Sequence, residues 1–221
     1  MKTLVIKNSE SFLLGLDNIL RHFIYGMEDA GSEIEVVNIR TLDINPCRVC
    51  TDDPSFYSDG KCDCDDDMQL IYPKMRESEN VVIATPFTGV MQNKLINFLD
   101  RLEPLFTIEE NVNFKGNLAL IGTSTKWDVK VFAPLVQHIQ EFSPVIARKF
   151  AGAVLRPHSL AYDMDDFDEE SKNMVNQAAE ELGKSFIQNK IFDQVKVNTV
   201  AMQLAPYNEY QDHIKANIYQ D

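Results

Sequence analysis

Apolar positions along the chain follow two rhythms. Thr3–Ile6 is a compact apolar run of strand length. From about Ser11 to Ala30, Phe12, Leu16, Ile19, Leu20, Phe23 and Met27 recur at three- and four-residue steps, the spacing of one helical face. Gly31 then suits a helix end. The alternation continues with strands predicted at Glu33–Ile39, Asn80–Thr85, Asn117–Ser124 and Phe150–Leu155. Helices are predicted from Asp66 or Asp67, either a good N-cap, to about Glu79, and over Gln92–Leu102 with Leu95, Phe98, Leu99 and Leu102 inward. Two more follow at Val131–Phe142 and Glu169–Asn189.

Strands that are apolar throughout, rather than at alternate positions, suit a parallel sheet covered on both faces. Five such units separated by helices predict an α/β domain: a flavodoxin-like, doubly wound, five-stranded parallel sheet of order 2-1-3-4-5 with its ligand at the carboxyl ends of the strands. This domain should occupy residues 1–190. Residues 191–221, with three tyrosines and scattered aliphatics after Phe192, are expected to be a C-terminal extension used for packing or oligomerisation.

Charge narrows the partners. The formal net charge of −13 argues against non-specific nucleic-acid binding and against docking on an anionic membrane. No apolar run approaches the roughly 20 residues of a membrane span. The first ten residues carry only Leu4–Ile6 as an apolar run, which does not make a signal peptide, so a cytoplasmic, reducing location is expected.

Three loops should meet at the ligand: Lys7–Leu14, Thr85–Asn93 and Gly122–Asp128. In the second, Pro86 fixes φ and Gly89 allows close backbone approach. Backbone N–H groups beside a helix N-terminus suit the carbonyl and ring-nitrogen edge of a flavin or another electron-rich heterocycle, although an ordinary strand-to-helix turn has the same spacing. All four cysteines lie between Cys47 and Cys64 in the pattern C-x2-C-x11-C-x-C. In a reducing compartment such a cluster points to metal or redox chemistry. Four thiolates suit an iron-sulfur cluster or a tetrahedral zinc site, and an empty loop is the third option. Asp52, Asp53, Asp59, Asp63 and Asp65–Asp67 would crowd negative charge around a cluster, or serve only as solvated loop and helix caps. The four histidines are isolated, no G-x-S-x-G, Walker or H-E-x-x-H motif is present, and Asp163–Glu170 reads as a solvated loop.

The segments NPCRVC, DGKC and DDMQLIYPKMRESENVVIATPFTGVMQNKLINFLDRL resemble the NADPH-dependent FMN reductase family, and within it the iron-sulfur flavoprotein branch. The resemblance runs in order from Met1 to about Leu155 and is strongest over Ile44–Leu102. It implies a flavin-dependent oxidoreductase or electron-transfer protein, a homodimer or homotetramer, with NAD(P)H or a ferredoxin-like protein as electron donor. The cofactor would do the electron chemistry, so no catalytic side chain is expected. By the same resemblance Pro86, Phe87, Thr88 and Gly89 would face the FMN ring, Gly122, Thr123 and Ser124 would lie on its other side, and Met91, Gln92 and Asn93 would be close by. Asp100 and Arg101 match the family's helix end and are read as a helix-terminal ion pair.

Two departures stand out against the family pattern. Its first loop is a phosphate cradle, Gly-Ser-x-Arg-x-x-Gly-Asn-Thr, whereas this chain has KNSESFLLGLDNIL. Ser9 survives, Ser11 falls where the arginine is expected, and Glu10 adds a negative charge. Ser9 and Ser11, with Lys7 and Asn8, would be left to hold the phosphate. In the cysteine loop, Cys47, Cys50 and Cys62 match ligands of a 4Fe-4S cluster, Asp53 takes the third slot, and Cys64 would replace the missing ligand. The alternative is a non-catalytic flavodoxin-fold binding or assembly protein that has lost FMN, with its cysteine loop empty or holding zinc.

Overall fold

The computed structural model describes residues 1–9, 15–48, 62, 64–102, 105, 115–162 and 169–218. Five parallel strands, β1 (Lys2–Lys7), β2 (Glu33–Asn38), β3 (Asn80–Pro86), β4 (Gly116–Thr123) and β5 (Arg148–Arg156), form one sheet in the order β2-β1-β3-β4-β5. This is the flavodoxin-like order that the apolar runs predict. The helices are α1 (Leu16–Asp29), α2 (Met68–Glu77), α3 (Asn93–Asp100), α4 (Ala133–Phe142), α5 (Glu169–Ile187), α6 (Gln194–Val200) and α7 (Tyr207–Ile218).

Each strand sends alternate residues to opposite faces. Val5, Val82, Ala119, Ile121 and Val154 point to one face and pack with Leu16, Ile19 and Phe23 of α1 and Ala179, Leu182 and Phe186 of α5. Leu4, Ile6, Val81, Ile83, Leu118 and Leu120 point to the other and pack with Ile71 and Met75 of α2, Leu95 and Phe98 of α3, and Leu135 and Ile139 of α4. Two glycines let α1 and α5 touch backbone to backbone. A Cβ on Gly26 would lie 1.8 Å from the Glu180 carbonyl oxygen, and one on Gly183 would lie 2.0 Å from that of Phe23.

Residues beyond 190 join the same core. Phe192 lies against Gly152 of β5, where a Cβ would come within 2.8 Å of its ring. Val200, Leu204, Ala205 and Tyr210 are buried with the α1–α5 face, and the Tyr210 hydroxyl donates to the Thr125 carbonyl at 2.7 Å. No helix among the described residues is long and apolar enough to cross a membrane.

One expectation needs correction. Arg101 does not pair with Asp100, which is exposed. Its guanidinium forks onto Asp66, with Nη1 to Oδ2 at 2.6 Å and Nη2 to Oδ1 at 3.1 Å, and Nη1 also donates to the Asn45 carbonyl. Both side chains are buried, at 1% and 0% exposed. Asp66 is therefore the partner of a buried cation as well as a cap that accepts from the Met68 N–H at 3.1 Å.

Candidate functional site

The carboxyl ends of the strands meet along one edge, and backbone hydrogen bonds tie their loops together. The Asn8 N–H donates to the Ala84 carbonyl at 2.8 Å, the Phe87 N–H to Thr123 at 2.7 Å, and the Ser124 N–H to Arg156 at 3.0 Å. Across this edge the Asn8 side chain donates from Nδ2 to Thr85 Oγ1 (3.1 Å) and to Gln92 Oε1 (3.2 Å). The loops after β1 and β3 are thus held in register before any ligand arrives.

Of the residues expected at a flavin, Pro86 ends β3 and Phe87 is buried with its ring against Phe132, centroids 6.2 Å apart. Phe87 therefore offers its backbone to the edge. Thr88 and Gly89 are exposed; Gly89 has φ +108° with open space where a Cβ would sit. Met91 and Gln92 are half-buried, and Asn93 opens α3. Gly122 is a packing residue, since a Cβ there would meet Phe132 and Leu155 at 3.1 Å. Thr123 and Ser124 are buried, and the Ser124 hydroxyl accepts from the Lys126 N–H. Ser9 is buried with its carbonyl accepting from Asn38 Nδ2 at 2.8 Å. Ser11 lies outside the described residues. Lys7 is committed to Asp17 at 2.5 Å, so it is not a spare cation for an anionic ligand.

The edge leaves specific polar atoms without partners. Asn8 Oδ1 and Thr123 Oγ1 are buried and make no hydrogen bond. Close by, α1 opens from Gly15 in a left-handed conformation (φ +65°), a residue with no side chain to cap the first N–H groups. Buried polar groups are normally satisfied, and a helix N-terminus attracts anions. An orphan acceptor, an orphan hydroxyl and an uncapped helix fit a polar heterocycle carrying a phosphate, which FMN is.

Sequence reasoning overlooked the loop after β5. There Arg156 is fully buried, His158 sits at φ +41° and packs edge-to-face with Trp127 at 4.8 Å, and Ser159 starts a 3-10 turn running to Tyr162. Burial, reinforced by the Arg156 charge, pushes the His158 imidazole down to about 3, so it is neutral at physiological pH. The polar run Arg-Pro-His-Ser after an apolar strand was the available signal, because polar residues at a strand's carboxyl end mark the ligand side in this fold.

The cysteines present a smaller picture. Cys62 is buried, Cys47 and Cys64 are half-buried, and Cys50 lies outside the described residues. Gln69 Nε2 donates to the carbonyls of both Cys62 (2.5 Å) and Cys64 (2.9 Å). Burial pushes the Cys64 thiol up, the Arg101 charge opposes this, and a hydrogen bond with Cys62 adds to it. Among the described residues no three metal-ligating side chains come together.

A five-stranded parallel sheet of this order, covered by helices on both faces, defines a flavodoxin-like fold. Residues 1–143 match the NADPH-dependent FMN reductase family, and the chain belongs to that family of flavin-dependent oxidoreductases. An iron-sulfur flavoprotein from Methanocaldococcus jannaschii is 26% identical over 107 residues; the match spans 48% of this chain and 54% of that protein, about half of each. The NAD(P)H:quinone oxidoreductase from Methanothermobacter marburgensis has a similar fold, with a TM-score of 0.59, 11% identity, and 84% of this chain and 96% of that one covered. RosB, solved with 8-demethyl-8-formylriboflavin-5′-phosphate, aligns with all of this chain and 88% of its own, with a TM-score of 0.62 and 14% identity. An FMN-dependent NADH-azoreductase from Bacillus anthracis str. Ames Ancestor, solved with FMN, reaches 0.53 at 14% identity, covering 85% of this chain and 98% of that one.

Proposed function

We propose that this chain is an NAD(P)H-dependent flavin oxidoreductase that holds FMN across the carboxyl edge of its sheet. The observation that carries the reading is the pair of buried, unpartnered atoms Asn8 Oδ1 and Thr123 Oγ1 beside the uncapped start of α1. FMN held here would supply two-electron chemistry between a nicotinamide and an acceptor. The chain's own residues position it. Asn8 fixes Gln92 and Thr85, the Phe87–Thr123 backbone bond sets the spacing between two loops, and Thr88 and Gly89 present backbone at the exposed tip. In this reading the loops bind and orient, and no side chain needs to act as acid or base.

Reconstitution with FMN followed by anaerobic titration with NADH and NADPH tests the reading. Bleaching of the flavin bands by one donor is expected. A stably bound flavin that neither donor bleaches contradicts nicotinamide dependence. Assembly as a homodimer or homotetramer is part of the same reading, checked by light scattering of the purified protein.

A finer reading adds a 4Fe-4S cluster on Cys47, Cys50, Cys62 and Cys64, passing electrons singly to a ferredoxin-like partner. It is favoured by the electrostatic interaction between the Cys62 and Cys64 thiols and by likeness to the iron-sulfur flavoprotein. Zinc in the same thiolates is the competing occupant. Iron, sulfide and zinc content of anaerobically purified wild type and Cys64→Ala separates them. Equal iron in both proteins removes Cys64 from the ligand set.

A further inference from the structure

Three arginines are buried in this molecule, and their side chains are satisfied to different degrees. Arg101 forks onto Asp66. Arg148 spends both terminal nitrogens on carbonyls, Nη1 on Ile146 and Ala147 and Nη2 on Met75 and Ser78. Arg156 uses only Nη1, which caps the end of α6 by donating to Val200 (2.9 Å) and Met202 (2.5 Å). Its Nε and Nη2 are buried with no partner, and no carboxylate among the described residues pairs with it. Burial pushes Arg156 down to about 10, which still leaves it protonated at neutral pH. A buried cation without a counter-charge is costly unless something negative approaches it.

The surroundings point to what that is. Thr123 is the register partner of Arg156 on the neighbouring strand, and its hydroxyl is orphaned. Ser159, three residues on, is fully buried with its own hydroxyl unpartnered. The turn that begins at Ser159 closes on the start of α1. A Cβ on Gly15 would meet the Ser159 carbonyl oxygen at 3.1 Å and Tyr162 Cβ at 3.6 Å, and the Tyr162 ring lies 5.3 Å from Arg156 Cζ. Thr123, Arg156 and Ser159 thus bring unused donors to the strand end and turn that close on the positive start of a 14-residue helix.

We propose that Arg156, with the hydroxyls of Ser159 and Thr123, forms a phosphate site at the N-terminus of α1 that takes a phosphomonoester dianion. In the FMN reading, on which this assignment builds, the phosphate is that of FMN. Arg156, delivered from β5, then supplies the cation that the first loop lacks where Ser11 stands in place of arginine. Lys7 does not fill that role, because it is held by Asp17.

Trp127 is the single tryptophan and packs edge-to-face with His158, two residues from Arg156, so its fluorescence reports on this edge. Affinities for FMN and for riboflavin, which lacks the phosphate, are measured in wild type, Ser159→Ala and Arg156→Met. Ser159→Ala removes no protein hydrogen bond and keeps the Cβ that packs near Gly15, so it tests the site even where Arg156→Met fails to fold. Wild type should prefer FMN, and that preference should fall about tenfold or more in Arg156→Met, the loss of a charge-assisted bond. A fall of several-fold is expected in Ser159→Ala, with riboflavin binding unchanged in both. An unchanged FMN-to-riboflavin ratio in Ser159→Ala and in folded Arg156→Met overturns the site but leaves flavin binding intact. If neither flavin binds, inorganic phosphate decides the matter separately. A phosphate-dependent rise in melting temperature, present in wild type and reduced in Ser159→Ala, supports the anion site without the flavin. The lack of such a rise overturns it.

Discussion

Arg101 and Arg156 are buried on opposite faces of the same sheet, and only one of them is neutralised from within. Arg101 joins α3 to the segment leading into α2, and Asp66 accepts both of its terminal nitrogens. Burial raises the Asp66 carboxyl, but bonds from Arg101 and from the Asn45 and Met68 N–H groups outweigh this and hold it below the usual carboxylate range. Arg156 joins β5 to the C-terminal extension and receives only two backbone carbonyls. The first arrangement is closed and serves the fold. The second is open, and its unused donors lie where this fold binds its ligand. A carboxylate on its terminal nitrogens thus distinguishes Arg101 from Arg156, whose Nη2 is left for the proposed guest.

The largest effect should come from breaking the closed pair. Asp66→Asn leaves the Arg101 charge buried without its counter-ion and should cost about 3–5 kcal/mol, read from the urea midpoint. A loss below about 1 kcal/mol would mean that water reaches the pair in solution.

Next comes the edge around Arg156. His158, packed by Trp127 and Tyr210 beside Arg156, is held neutral with its value lowered to about 3. Because the unfolded chain takes up that proton near 6.5, this contribution to stability is complete above that pH and declines as pH falls toward 3. Stability should therefore drop by about 2 kcal/mol from pH 7 to pH 5. His158→Asn, which tolerates the positive φ of +41°, should remove most of that slope. His22, also lowered by burial, leaves a smaller remainder. An equally steep slope in His158→Asn would show that the imidazole is protonated in the folded protein.

The smallest effect on stability should be Arg156→Met without ligand, about 1 kcal/mol, because losing two carbonyl bonds is offset by shedding an unpaired charge. The gap between variant and wild type should widen to about 2 kcal/mol or more when FMN is a hundredfold above the wild-type dissociation constant and the variant binds tenfold more weakly. A gap independent of FMN would place Arg156 with Arg101 as a purely structural cation.

The sheet was legible because β1, β3 and β4 are covered on both faces and read as unbroken apolar runs. Strand β5 was foreshortened in the sequence because it begins and ends in Arg148 and Arg156. These look solvent-facing in one dimension but are buried through carbonyls far along the chain. The Arg101–Asp66 pair spans 35 residues, so no local spacing announces it, and the neighbouring Asp100 offered a false partner. The loops after β1, β3 and β4 were selected by topology. The loop after β5 was not, because its approach to α1 depends on the turn at Ser159–Tyr162 packing against Gly15.

The most direct measurement is the visible spectrum of the protein purified without oxygen, then incubated with FMN and freed of excess by gel filtration. Retained, stoichiometric flavin with its two absorption bands is the predicted result. A colourless protein that does not take up FMN would contradict the assignment of the carboxyl edge as a flavin site.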